Sequence, residues 1–164
     1  MSPELLEIAE QVGQRLARLK IRMVAAESCT GGLISAAMTS VPGSSAWFER
    51  GFVTYTNIAK HEMLGVPAEL FKQDGAVSEA VVLAMARGAI ERSKGHVSVA
   101  VSGIAGPDGG TADKPVGTVW VAWGQKLGYA EARCFHFDGD RAAVREASAI
   151  EALRGLEARL AGQG

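Results

Sequence analysis

The stretch IRMVAAESCTGGLISAAMTS, residues 21–40, decides how this chain is read. Its first part, IRMVAA, is a short apolar run of the kind that forms a buried strand, and TGGLISAAMTS behind it is rich in small residues compatible with a helix. Strand, glycine turn and helix therefore follow one another around ESCTGG, residues 27–32. The same alternation continues on both sides. Upstream, Leu5, Ile8, Ala9, Val12, Leu16 and Leu19 recur at steps of three and four, an amphipathic helix over 3–20 opened by Ser2, Pro3 and Glu4. Downstream, Phe48 to Tyr55 reads as a strand, Asn57 as a helix N-cap, and IAKHEML as two helical turns stopped by Gly65. Pro67 starts a further short helix to about Lys72, and Ser78 with Glu79 caps the long helix EAVVLAMARGAIERSK. Residues 96–102 alternate and are β-branched, VGTVWVAWG and YAEARCFHF are two more strands joined by QKLG as a hairpin, and a last helix runs from about Asp140 to Leu160. Helices interleaved with strands and ending in a hairpin predict an α/β fold: a single-domain three-layer α/β/α sandwich with a mixed β-sheet.

Composition narrows the function. With 164 residues, 48% of them apolar, one domain over 1–164 is expected. The net charge is −1 and the cations are spread along the chain, so neither nucleic acid nor an anionic membrane is the expected partner, and a small molecule is. Cys29 and Cys134 are far apart and outside any CxxC spacing, and His61, His96 and His136 show no HxxxH or HExxH pattern, so no zinc site or other metal is expected. No signal-like start and no long apolar run is present, which makes a reduced, cytoplasmic setting the expectation.

Four segments could carry chemistry. ESCTGG offers backbone N–H groups and the hydroxyls of Ser28 and Thr30, yet lacks the lysine of a P-loop, and no GxGxxG occurs anywhere. Tight helix–strand packing through Gly31 and Gly32 explains the same glycines. SGIAGPDGG, residues 102–110, is a long loop at a strand's carboxyl end, where α/β proteins place ligands. FDGDRAAVR, residues 137–145, puts Arg141 at a helix start beside Asp138 or Asp140 as cap, with Arg145 one turn on, an arrangement suited to one anion. Lys60 is the oddest residue, a cation in the first turn of a helix, where the free N–H groups prefer acids. A neutral lysine can serve as the base for a serine nucleophile when burial and nearby positive potential bring its pKa down. Tyr55, five residues earlier, could relay the proton, although YxxxxK is one residue longer than the YxxxK of short-chain dehydrogenases.

Taken together, ESCTGG, GSSAWFERGFVTYTNIAK, GAVSE, VSGIAGPDGG with KPVGTVW, and FDGDR closely resemble the nicotinamide-nucleotide amidohydrolase family, the carboxy-terminal domain of the competence/damage-inducible protein CinA. The match runs in order from about residue 10 to the last helix, without the additional amino-terminal domain of the larger CinA proteins, so the chain resembles the stand-alone enzyme. The resemblance implies hydrolysis of the carboxamide of nicotinamide mononucleotide by a serine–lysine mechanism with no metal and no cofactor. Carried over by motif, Lys60 is the base and Tyr55 its companion. Ser45 in GSSAWF is the preferred nucleophile because it is nearest in sequence to them, and Ser28 is the reserve. Oxyanion donors would come from Thr30, Gly31 and Gly32 of the glycine turn or from Ser102, Gly103, Ala105 and Gly106 of the loop. Arg141 would hold the 5′-phosphate of the mononucleotide. The rival readings are a nucleotide-binding regulatory module without turnover, or hydrolysis of another pyridine nucleotide. Trp47 and Phe48, expected to be exposed, suggest a homo-oligomer.

Overall fold

The computed structural model describes residues 1–163. Five strands, β1 (Met23–Glu27), β2 (Phe48–Val53), β3 (Val97–Gly103), β4 (Thr118–Gln125) and β5 (Ala130–His136), form one sheet in the order β2-β1-β3-β4-β5. β1 pairs in parallel with β2 and β3, whereas β3–β4 and β4–β5 are antiparallel. The expected mixed sheet is therefore present. Every residue of β1 is buried, as its continuous apolar run implied, because it has a neighbour on each side and helices on both faces.

The helices divide into two layers. α1 (Pro3–Leu19), α2 (Leu33–Thr39) and α6 (Arg141–Ala161) pack with Met23, Ala25, Val99 and Val121 on one face. α3 (Asn57–Leu64), α4 (Ala68–Asp74) and α5 (Glu79–Glu91) cover Val24, Ala26, Ala100 and Ala122 on the other. Alternate residues of β1 thus serve opposite cores, the period of two that a strand enforces. α1 begins as its sequence indicates, with Ser2 Oγ accepting from the Leu5 amide and Pro3 in the first turn.

Two local expectations are corrected. The cap of α3 is Thr56, whose side chain accepts from the Ala59 amide, one residue before the expected Asn57. Both are good caps, and the chain uses the one with extended backbone. Trp47 is buried, its ring against Gly13 of α1, where an added Cβ would lie 2.6 Å from the indole. It anchors a helix to the sheet and so offers no surface for self-association.

The α3–α5 crossing shows how closely this layer is packed. Gly88 of α5 faces the backbone of α3 so directly that a Cβ would run into the Leu64 carbonyl. Gly88→Ala is therefore expected to destabilise the protein by about 2 kcal/mol, overpacking outweighing the helix propensity of alanine. Urea unfolding measures it; an unchanged midpoint would mean that the crossing yields easily.

Candidate active site

The carboxyl ends of β1, β2 and β3, three parallel neighbours, bring Ser28, Tyr55 and Ser102 to one edge of the sheet. A cavity of about 190 Å³ opens there, lined among others by Ser28, Tyr55, Asn57, Lys60, Ser102 and Arg141.

Ser28 follows β1 directly, and its amide donates to the Val101 carbonyl of β3 at 3.1 Å, which fixes the residue to the sheet. The chain then turns sharply. Gly31 and Gly32 adopt φ of +60° and +102°, a region that disfavours side chains, so the turn needs these glycines. α2 begins behind it with Gly32 at its cap, which has no side chain to accept from the first amides. Glu27 fills that role from the strand: Oε1 accepts from the Ile34 amide at 2.9 Å, and Oε2 from the Ser35 amide at 2.9 Å and hydroxyl at 2.7 Å. A fully buried carboxylate thus meets the positive end of the helix and ties the turn to it.

Lys60 comes from the opposite layer. α3 starts just after β2, and Lys60 lies on the face of its first turns that looks inward, so that only 1% of the residue is exposed. Its Nζ lies 3.0 Å from Ser28 Oγ and donates to the Tyr55 carbonyl at 3.2 Å. No carboxylate contacts it among the described residues, and burial holds its pKa down at about 8. The helix dipole, invoked from the sequence, is not needed: removal from water is the main cause. At pH 7 roughly a tenth of the amine is then uncharged, and an uncharged amine with a hydroxyl at 3.0 Å can accept its proton. Burial pushes the neighbouring Cys29 thiol up to about 11, so it stays neutral and does not compete as a nucleophile.

The other expected residues are distributed as follows. Ser45 lies in a short 3-10 turn, Ser44–Ala46, ahead of β2, whereas Tyr55 and Lys60 follow that strand. The six residues of β2 separate the two ends by roughly 20 Å, so nearness in sequence did not become nearness in space, and the serine beside Lys60 is Ser28. The Tyr55 side chain also differs from expectation. Its carbonyl touches Lys60, while the residue is 57% exposed and its phenol oxygen accepts from Arg141 Nη2 at 2.7 Å, so the hydroxyl is engaged by Arg141 and not by Lys60. Arg141, the first residue of α6, donates with Nη1 to the Gly106 carbonyl at 2.8 Å and so spans the cavity mouth between the β3–β4 loop and Tyr55. Asp140, not Asp138, caps this helix through the Ala143 amide.

Ser102 is buried and lines the cavity, but its hydroxyl donates to the Ala76 carbonyl at 2.8 Å, pinning the α4–α5 connection to the end of β3. Gly103 and Ala105 line the cavity as well, and Gly106 meets it through the Arg141 contact. Thr30, Gly31 and Gly32 are not among the lining residues and contribute backbone only; Thr30 is fully buried, and its hydroxyl has no partner among the described residues. Arg145 is not among the lining residues; its guanidinium is turned to the Ser28–Gly32 turn, where it donates to the Cys29 and Thr30 carbonyls. Glu27 and Asn57 escaped sequence reading as site residues. The signal for Glu27 was there, a carboxylate closing an otherwise apolar strand. Among the described residues no cluster could hold a metal ion, and no helix is long and apolar enough to cross a membrane.

Comparison with known proteins agrees with this architecture. The chain is 56% identical over 150 residues to the nicotinamide-nucleotide amidohydrolase PncC of Pseudomonas putida, covering 91% of this chain and 92% of that protein. The protein of the same name from Escherichia coli K12 is 51% identical, with 93% of each covered. Among solved structures, the competence/damage inducible protein CihA from Agrobacterium tumefaciens superposes with a TM-score of 0.93 at 44% identity, over 96% of both chains. Residues 5–160 match the family described as the CinA C-terminal domain, and the chain belongs to that family.

Proposed function

We propose that the protein hydrolyses the carboxamide of nicotinamide mononucleotide to nicotinate mononucleotide and ammonia, with Ser28 as nucleophile and Lys60 as its base. The observation that carries the mechanism is the buried Lys60 amine 3.0 Å from the Ser28 hydroxyl inside a cavity whose mouth is spanned by an arginine. The names of the amidohydrolases from Pseudomonas putida and Escherichia coli support the choice of substrate. The free thiols of Cys29 and Cys134 fit a reducing, cytoplasmic setting.

The neutral amine takes the Ser28 proton as Oγ bonds to the carboxamide carbon, giving a tetrahedral oxyanion. Lys60, now an ammonium, returns that proton to the departing nitrogen, the C–N bond breaks, and ammonia leaves an acyl ester on Ser28. Water then attacks the ester, again delivering a proton to Lys60, which passes it to Ser28 Oγ as the acid is released. The oxyanion requires donors already in place. The amides of Cys29 and Thr30 suit it, since neither donates to a backbone carbonyl among the described residues while those of Ser28 and Gly31 both do.

Arg141 is the anion-binding group for the 5′-phosphate. Its two contacts, one carbonyl and one phenol, are neutral, so a phosphate offers a stronger, charge-assisted partner. Arg141→Met is expected to raise KM for the mononucleotide about 10- to 100-fold with a smaller change in kcat, read from initial rates. An unchanged KM would remove Arg141 from phosphate binding.

The function itself is tested by following ammonia and nicotinate mononucleotide together when the purified protein meets nicotinamide mononucleotide. Equimolar appearance of both is the expected result. Saturable binding without ammonia would instead identify a nucleotide-binding module.

A further inference from the structure

We infer that Arg145, which never reaches the cavity, is the positioning residue of the oxyanion site: it orients and polarises the peptide whose N–H is the Thr30 donor. This rests on the acyl-transfer reading above. Arg145 lies one turn into α6 from Arg141 and extends across the Ser28–Gly32 turn, close enough that a Cβ on Gly31 would sit 3.2 Å from its Nη2. Nε donates to the Cys29 carbonyl at 3.0 Å and Nη2 to the Thr30 carbonyl at 3.0 Å. One planar guanidinium therefore holds two successive carbonyls of the turn that carries the nucleophile.

The consequence follows from peptide geometry. In a trans peptide the C=O and N–H point in opposite directions, so fixing the Cys29 carbonyl toward α6 fixes the Thr30 N–H away from it. That N–H donates to no backbone carbonyl among the described residues, and neither does the Cys29 N–H before it, whose own peptide is fixed through the Ser28 carbonyl accepting from the Gly31 amide at 3.0 Å. Two successive amides beside the nucleophile that no backbone carbonyl engages make a concavity suited to an anion. A cation bonded to the far end of such a peptide also draws electron density from its N–H, strengthening it as a donor. The charge of Arg145 does reach this turn, since it is among the influences pulling the Cys29 thiol downward against the larger effect of burial.

An ordinary structural clamp would tie α6 to the turn equally well, so the test has to separate the two. Arg145→Ala and Arg145→Lys are compared with wild type for three quantities: kcat, the affinity of the product nicotinate mononucleotide, and the affinity of the aldehyde analogue of the substrate, which forms a tetrahedral hemiacetal with Ser28. Loss of one oriented donor predicts a fall in kcat of about 10²- to 10³-fold and a parallel loss of aldehyde affinity, with product affinity within about threefold. Added guanidinium ion is expected to restore part of kcat to Arg145→Ala. Should Arg145→Ala fail to fold, Arg145→Lys, which keeps the charge but not the fork, gives the same comparison. If kcat and aldehyde affinity stay within threefold of wild type, or if all three quantities fall together, Arg145 has no specific part in the oxyanion site. Wild-type turnover, measured alongside, shows separately whether the acyl-transfer reading itself holds.

Discussion

Ser28→Ala is expected to lower kcat/KM for nicotinamide mononucleotide by about 10⁴-fold or more, whereas Ser45→Ala is expected to cost less than tenfold. The contrast comes from placement. Ser28 follows β1 at the cavity, with its hydroxyl 3.0 Å from the Lys60 amine, and Ser45 precedes β2 at the opposite edge of the sheet. Removing the hydroxyl removes the atom that bonds to the carboxamide carbon, and no cavity residue can stand in for it: the Cys29 thiol is held neutral by burial, and the Ser102 hydroxyl is bonded to Ala76. Ammonia release in single-turnover and steady-state assays measures both variants. Comparable losses in the two would contradict the assignment of Ser28.

Lys60→Met is expected to lower kcat/KM about 10³- to 10⁴-fold and, at the same time, to stabilise the fold. Burying an amine is unfavourable, and the value of about 8 expresses that cost relative to the ordinary 10.5. The unfolded chain keeps the proton up to about pH 10.5 and the folded chain only to about pH 8, so stability rises with pH between those limits and the full penalty is present below them. The difference corresponds to roughly 3 kcal/mol. Methionine fills similar space without a charge, and the Tyr55 carbonyl it leaves behind retains the Ser28 hydroxyl at 3.5 Å, so a net gain of about 2 kcal/mol is expected at pH 7. Urea unfolding is expected to show that gain shrinking from pH 8 to 10.5. The wild-type kcat/KM is expected to climb about tenfold per pH unit below 8 and to level off above it. Destabilisation by Lys60→Met at pH 7 would mean that burying the charged amine carries no such penalty.

The sequence made the architecture legible because its elements carry strong periodic signals. The α1 stripe, the apolar run of β1 and the β4–β5 hairpin each point to one secondary structure, and their order admits few ways of layering helices on a sheet. The lysine at the start of α3 was legible too, since it breaks a local rule by placing a cation at a helix N-terminus. What sequence could not supply was which residues meet across the sheet. Ser28 and Lys60 are 32 positions apart and lie in contact, while Ser45, 15 positions from Lys60, is separated from it by the length of β2. Tyr55 was expected to share or relay the proton of Lys60, whereas the contact between them is the Tyr55 carbonyl, which any residue would provide. Arg145 looked like an anion ligand because its partners are backbone atoms of a turn more than a hundred positions away.

The most direct measurement is the rate at which an organophosphonate fluoride modifies the protein, followed by peptide mass across a pH series in wild type and Lys60→Met. An irreversible acceptor of the serine oxygen reports the dyad without depending on substrate binding or deacylation. The expected result is stoichiometric label on Ser28, a rate that rises to a plateau above about pH 8, and a loss of that rate in Lys60→Met. Label on Ser45, or a Ser28 rate unchanged when the amine is removed, would contradict it.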